Sequence, residues 1–266
     1  MTTTIEYRNV SMSFGTGAQA VRALDPTNFK IGNQEFLMIV GPSGCGKSTL
    51  LHVTSGLLKP TTGEVLLDGQ PITAPGPDKA LVFQNFSLFP WKTVWENIDF
   101  GLRINNLPRD EREARVRHYI KLTGLSGFEH RYPRQLSGGM QQRVAIARSF
   151  VLRPRVLLMD EPFAALDAQN RAIMQEELVR IWSVQRSTVL FITHSVEEAV
   201  YLADRVMVMS RRPGQIKEVI DVGAVTGASH WRTRPLNDVA SDAKFQNLRH
   251  HVWESVRSEI SPLVGA

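Results

Sequence analysis

The stretch Gly41-Pro42-Ser43-Gly44-Cys45-Gly46-Lys47-Ser48-Thr49 constrains this chain more than any other. It fits the pattern G-x-x-x-x-G-K-[ST], a loop whose backbone N–H groups turn inward around phosphate oxygens. Glycine is needed there because a side chain would block both the turn and the close approach of the anion. A helix must follow, so that its positive N-terminal end faces the same charge. Lys47 would reach the β- and γ-phosphates, and Ser48 would offer its hydroxyl to Mg2+. The flanks comply. Phe36-Leu37-Met38-Ile39-Val40 reads as a buried strand, and a helical pattern opens at Lys47. Cys45 sits at a variable position of the loop and takes no catalytic role. Its place there predicts a thiol open to alkylation in the free protein and shielded by bound nucleotide.

Strand-like runs recur along the chain. Leu81-Val82-Phe83, Val156-Leu157-Leu158-Met159, Val189-Leu190-Phe191-Ile192 and Val206-Met207-Val208-Met209 are continuous rather than alternating. Such runs predict strands buried on both faces of a mostly parallel sheet. Helical patterns at residues 47–57, 140–152, 168–186 and 196–202 fall between them, the order of an α/β fold. Two regions depart from it. Residues 1–35 hold period-two segments such as Ile5-Glu6-Tyr7-Arg8-Asn9-Val10, and Val65-Leu66-Leu67 before Asp68-Gly69 reads as a hairpin arm. Together they predict a small antiparallel β subdomain. From residue 86 to 150 proline-punctuated, arginine-rich helical stretches predict an inserted helical subdomain. The expected division is a main domain over 1–222 that contains this insert, and a tail over 223–266. The tail opens with the small residues 223–229. Phe245, Leu248, Val252, Val256 and Ile260 then form one apolar stripe of a helix expected to dock on the body.

A second motif carries chemistry. Val156-Leu157-Leu158-Met159-Asp160-Glu161 is an apolar strand ending in two carboxylates. Beyond the end of the ladder both can face one site. Asp160 suits Mg2+ through a water, and Glu161 suits an attacking water as general base. Composition adds exclusions. The 266 residues are 42% hydrophobic and 21% charged, which suits a globular protein with a sizeable core. A net charge of +5 fits nucleic acid, an anionic membrane surface or nucleotide phosphates, but a mildly basic surface explains it more simply. No apolar run approaches the ~18 residues that span a bilayer, and the first residues do not read as a signal peptide. The single cysteine, Cys45, excludes an intrachain disulfide and a cysteine zinc site, and points to a reducing cytoplasmic setting.

Leu136-Ser137-Gly138-Gly139-Met140-Gln141-Gln142-Arg143 lies between the two motifs. With all three in this order, the chain resembles the ATP-binding subunit of ABC transporters over nearly its whole length. The resemblance implies a P-loop NTPase core that binds ATP with Mg2+ and hydrolyses it. Residues 41–49 would hold the nucleotide, Ser48, Gln84 and Asp160 would serve the metal, and Glu161, His194 and Gln84 would act on the γ-phosphate. Phe14 resembles the aromatic that stacks on adenine, with Tyr7 as the rival. Asp167, in Ala165-Leu166-Asp167, resembles the loop that crosses a dimer interface. Ser137, Gly138 and Gly139 would supply a hydroxyl and N–H groups to the ATP held by a second copy. The family more often has Gln where Met140 stands, so a polar contact from that side chain is left open.

A narrower resemblance is carried by Asn85-Phe86-Ser87-Leu88-Phe89-Pro90-Trp91, by Ser210-Arg211-Arg212-Pro213-Gly214-Gln215-Ile216 and by Arg232-Thr233-Arg234-Pro235. These are similar to importers of the nitrate, sulfonate and taurine group. That implies a homodimer at the cytoplasmic face of the membrane, joined to permease subunits through a groove at Phe89, Pro90 and Trp91. It also implies an external solute-binding protein and no nucleic-acid partner. The rival readings are an exporter or lipid-transport ATPase, a non-transport ABC ATPase acting on nucleic acid or ribosomes, and a binding module that holds ATP without turnover. No coiled-coil insertion or second cassette supports the nucleic-acid or ribosome reading.

Overall fold

The computed structural model describes residues 3–227 and 231–260; Ala228 and Ser229 of the small-residue run lie outside them. By compactness the chain divides into Met1–Gly76 with Thr188–Ala266, and Pro77–Ser187. This division differs from the one expected from sequence. The tail belongs to the first unit, and the second unit is wider than the helical insert.

The first unit begins with the period-two segments. Strands β1 (Thr3–Phe14) and β2 (Val21–Gly32) pair antiparallel, with Tyr7 opposite Phe29. Strand β3 (Phe36–Val40) follows and leads through the glycine loop into helix α1 (Lys47–Ser55). The helix ends earlier than expected because Gly56 turns left-handed at φ 81° and its N–H caps the carbonyls of His52 and Val53. Strands β4 (Thr62–Leu67) and β5 (Gln70–Pro71) form the hairpin foreseen at Asp68-Gly69, and β4 adds to β1 with Tyr7 opposite Val65.

The second unit opens with strand β6 (Lys79–Val82), one residue short of Phe83. Helices α2 (Val94–Ile104), α3 (Arg109–Leu122) and α4 (Gly138–Phe150) form the insert. Thr93 and Glu96 start α2 with a reciprocal capping box. Along α3, Arg109 and Arg117 pair with Glu113, and Arg115 pairs with Glu111, one turn apart. Strand β7 (Val156–Asp160) runs parallel to β6, and helix α5 (Ala168–Val184) follows it.

The chain then returns to the first unit. Strand β8 (Thr188–Ile192), helix α6 (Val196–Leu202) and strands β9 (Arg205–Met209) and β10 (Ile216–Asp221) complete it. Parallel β8 and β9 flank β3, and every residue of β3 and β8 is buried, as their unbroken apolar runs require. After the short helices α7 (Val222–Thr226) and α8 (Leu236–Val239), the tail ends in helix α9 (Ala243–Ile260). Its stripe docks on α6 and β9 through buried Phe245, Leu248 and Val252, while Ile260 at its far end stays exposed. Trp231 meets Phe245 edge to face at 5.0 Å. Buried Arg232 bonds Asp204 at 2.7 Å and the Leu202 carbonyl at 2.8 Å, and Asp204 in turn accepts the Phe36 N–H at 2.8 Å. The tail is thereby tied to the first residue of β3. Phe245→Ala is expected to destabilise the protein by about 3–5 kcal/mol, as for a fully buried ring. A chemical-denaturation midpoint that does not move would show that the tail does not contribute to the body's stability.

Candidate active site

The loop between β3 and α1 is shaped by three left-handed glycines, Gly41 (φ 156°), Gly44 (φ 74°) and Gly46 (φ 106°). They do different work. A Cβ on Gly41 would stand 2.8 Å from the Met209 carbonyl oxygen, and one on Gly46 would stand 2.9 Å from that of Ala23. These two allow backbone to pack behind the loop. Nothing lies within 4 Å of a Cβ on Gly44, so its face is the open side on which an anion can approach. Ser43, Gly44 and Ser48 are exposed, and Pro42 and Thr49 are half-buried at either side. Lys47 is buried, and its ammonium donates to the carbonyls of Gly41 at 2.9 Å and Pro42 at 3.0 Å. The cation thus lies along the loop it serves, held where phosphate oxygens would compete for it.

Strand register brings His194 to the same end of the sheet. Ile192 is level with Ile39, and the next amide, Thr193 N–H, donates to the Ile39 carbonyl at 3.2 Å. Thr193 Oγ1 then accepts the Ser195 N–H, leaving exposed His194 at the turn between them. Exposure separates the two aromatic candidates. Tyr7 is 2% exposed, and its hydroxyl hydrogen-bonds Thr54 inside α1. Burial pushes its phenol well above the usual range. Phe14, at the end of β1, is 41% exposed and can offer a ring face to a base.

In the second unit the same logic of level strands pairs Gln84 with Glu161. Val82 is opposite Met159, so residues two further on in each strand emerge together. The Gln84 amide nitrogen donates to Glu161 Oε2 at 3.5 Å. Glu161 has φ 47°, a left-handed backbone rarely adopted by a non-glycine residue. Asp160 beside it is half-buried at the end of β7. Ser137 caps α4, its hydroxyl accepting the Met140 N–H at 3.3 Å. No atom comes within 4 Å of a Cβ on Gly138, so the first turn of α4 is open, with amides its own helix cannot satisfy. Asp167 caps α5, and the Asn170 backbone N–H at 2.9 Å holds its carboxyl below the ordinary carboxylate range.

Residues the sequence did not single out organise the segment after Gln84. Arg148 on α4 donates to the carbonyls of Phe86 and Ser87 and lies over the Phe89 ring at 5.6 Å. Buried Asn97 accepts the Phe89 N–H and donates to the carbonyls of Phe89, Lys92 and Thr93. An asparagine inside an amphipathic helix directly after a capping box was the available signal. A groove of about 330 Å3 is lined by Phe83, Phe89, Phe100, Arg148 and Leu152. Trp91 stands 70% exposed, its ring 5.8 Å from that of Phe89.

Comparison with known proteins decides the family. Residues 24–164 match the family described as ABC transporter. The chain belongs to the ATP-binding subunits of ABC transporters. An uncharacterised ABC transporter ATP-binding protein of Methanocaldococcus jannaschii is 52% identical, over 82% of either chain. The nitrate import ATP-binding protein NrtD of Synechococcus elongatus is 44% identical, over 92% of this chain and 88% of its own. A dimeric ATP-binding cassette solved in a post-hydrolysis state with ADP and Pi matches with a TM-score of 0.72 and 32% identity, over 82% of this chain and 98% of that one. This ABC protein is therefore a nucleotide-binding ATPase with the P-loop NTPase fold, and no helix among its described residues is long and apolar enough to cross a membrane.

One expectation is corrected. Cys45 is 1% exposed, and burial pushes its thiol up despite the nearby Lys47 charge. The loop turns this side chain inward, away from the open face of Gly44. Since the thiolate is the reacting form, alkylation in the native ABC ATPase is expected to be on the order of a hundredfold slower than in the denatured chain, with or without nucleotide. Rapid native labelling, followed by mass spectrometry, would contradict this placement.

Proposed function

We propose that this chain drives an importer for a small solute of the nitrate, sulfonate or taurine kind, as a homodimer on the cytoplasmic face of the membrane. Residues 41–49 cradle the phosphates of ATP, and Phe14 stacks on the adenine. The residues fit a magnesium nucleotide. The Gly44 face is open, Ser48 is exposed in the first turn of α1, and Gln84 and Asp160 bring a carbonyl and a carboxylate. Ser48, Gln84 and Asp160 would hold Mg2+, which supplies charge neutralisation at the phosphates. Glu161 takes the proton of the attacking water, and His194 hydrogen-bonds the γ-phosphate. Ser137, Gly138 and Gly139 act on the ATP of the second copy, with Asp167 beside that interface.

The observation that carries this reading is the open first turn of α4. Ser137 caps this turn, Gly138 is exposed with nothing within 4 Å of a Cβ on it, and half-buried Gly139 follows with only the Asn170 side chain nearby, which supports an anion approaching the N-terminal amides of α4. The groove at Phe89, with exposed Pro90 and Trp91 beside it, supports docking of a separate permease. The nitrate importer relative supports the solute class and, with it, an external solute-binding protein.

Glu161→Gln is expected to keep ATP binding and lose roughly 10²–10⁴-fold in steady-state hydrolysis, the range of a lost general base. Near-normal turnover would sink the assignment. The shared site has its own test. Glu161→Gln protein with MgATP should elute as a dimer in gel filtration, because nucleotide in the interface favours association and is no longer consumed. The double variant Ser137→Arg, Glu161→Gln should stay monomeric. A double variant that dimerises equally well would show that the α4 turn does not meet nucleotide across an interface.

A further inference from the structure

A phosphate loop that points its amides outward to an anion must be supported from behind, and in this chain the support is closely packed backbone together with the Leu24 and Met209 side chains. Met209 backs Gly41, and Ala23 and Leu24 back Gly46. The peptide between these two glycines, at Cys45, is backed by Gly214. A Cβ on Gly214 would overlap the Cys45 carbonyl oxygen and stand 3.0 Å from the Met209 methyl. Gly214 lies in the turn between β9 and β10, where it is buried although residues 211–213 and 215 are exposed. It has no left-handed torsion, so only the space demands glycine. It is also fixed from the side, donating its N–H to the Ala23 carbonyl at 2.9 Å and accepting the Asp25 N–H at 3.0 Å.

The turn itself is held by the C-terminal helix. Glu259, near the end of α9, accepts the Arg211 N–H at 3.1 Å through one oxygen and pairs with Lys217 at 2.9 Å through the other. Lys217 also donates to the Ser255 carbonyl at 2.9 Å and to Ser258 Oγ at 2.6 Å. These contacts hold the Glu259 carboxyl below its usual range, the Lys217 bond contributing most. A continuous path of contacts therefore runs from α9 through the turn 210–215 to the peptide of Cys45, all within the first unit.

We propose that Gly214 and Glu259 are positioning residues for the phosphate loop, so that the C-terminal helix forms part of the nucleotide-binding apparatus. This rests on the reading that residues 41–49 hold ATP. Displacing the Cys45 peptide turns its neighbouring amides away from the phosphates, which weakens binding before it touches the chemistry of the γ-phosphate.

The test uses the full-length chain with a fluorescent ATP analogue, and the native alkylation rate of Cys45 as a second readout. Gly214→Ala is expected to weaken analogue binding by roughly tenfold or more, since misplacement on the scale of an ångström is costly in a preorganised site. Glu259→Ala is expected to weaken it by about threefold, and Glu259→Gln, which keeps an acceptor for the Arg211 N–H, to recover part of that. In Gly214→Ala and Glu259→Ala alike, Cys45 should label faster than in the unmodified protein, and KM for ATP should rise more than kcat falls. The proposal is overturned if the folded fraction of these variants binds the analogue as tightly as the unmodified chain with an unchanged Cys45 rate. If Gly214→Ala does not fold, the two Glu259 variants decide the matter alone. Failure of the unmodified chain to bind analogue would instead overturn the ATP reading, while Cys45 labelling would still report whether the turn supports the loop.

Discussion

A loop that turns peptide N–H groups toward an anion cannot also use those groups to hold its own shape. Its shape must come from what stands behind it, and that need accounts for much of the first unit. Strand β3 is buried along its whole length, which fixes where the loop begins. Helix α1 fixes where it ends, and Tyr7 reaches from the antiparallel sheet to hydrogen-bond that helix from within. Met209 and Ala23 close against the loop's glycines at distances no side chain could share. The antiparallel sheet, the parallel strands and the tail then read as successive layers of support for the peptide groups of this one loop.

Register does the equivalent work for the side chains proposed to act on the γ-phosphate. In each unit two parallel strands end level, and the residues just past their ends emerge side by side. Ile39 opposite Ile192 sets His194 at the loop's end of the sheet. Val82 opposite Met159 sets Gln84 against Glu161. A shift of one residue in either pair would turn these side chains to the opposite face. The continuous apolar strands therefore serve as rulers as well as core.

The sequence showed the parts that local chemistry dictates. The 41–49 loop, the carboxylates at 160 and 161 and the strands around them each have a reason visible within a few residues, and the structure has these strands within a residue or so of the expected ends. It could also foresee that the tail docks, because Phe245, Leu248 and Val252 repeat at helical spacing. It was silent where the reason is a distant neighbour. Nothing local marks Arg148 as the group that grips the Phe86 and Ser87 carbonyls, or Gly214 as a glycine demanded by Cys45. Cys45 itself was misjudged for the same cause. The motif shows that the loop is open, but which side chains point away from the opening depends on what is packed behind.

The left-handed backbone at Glu161 has a consequence for how that position should be understood. A non-glycine residue held there carries conformational strain on the order of 1–3 kcal/mol, and glycine or asparagine would carry less. A search for thermal stability alone would replace this glutamate. The role proposed for Glu161, a carboxylate acting on the attacking water at the end of β7, would give this costly position a use.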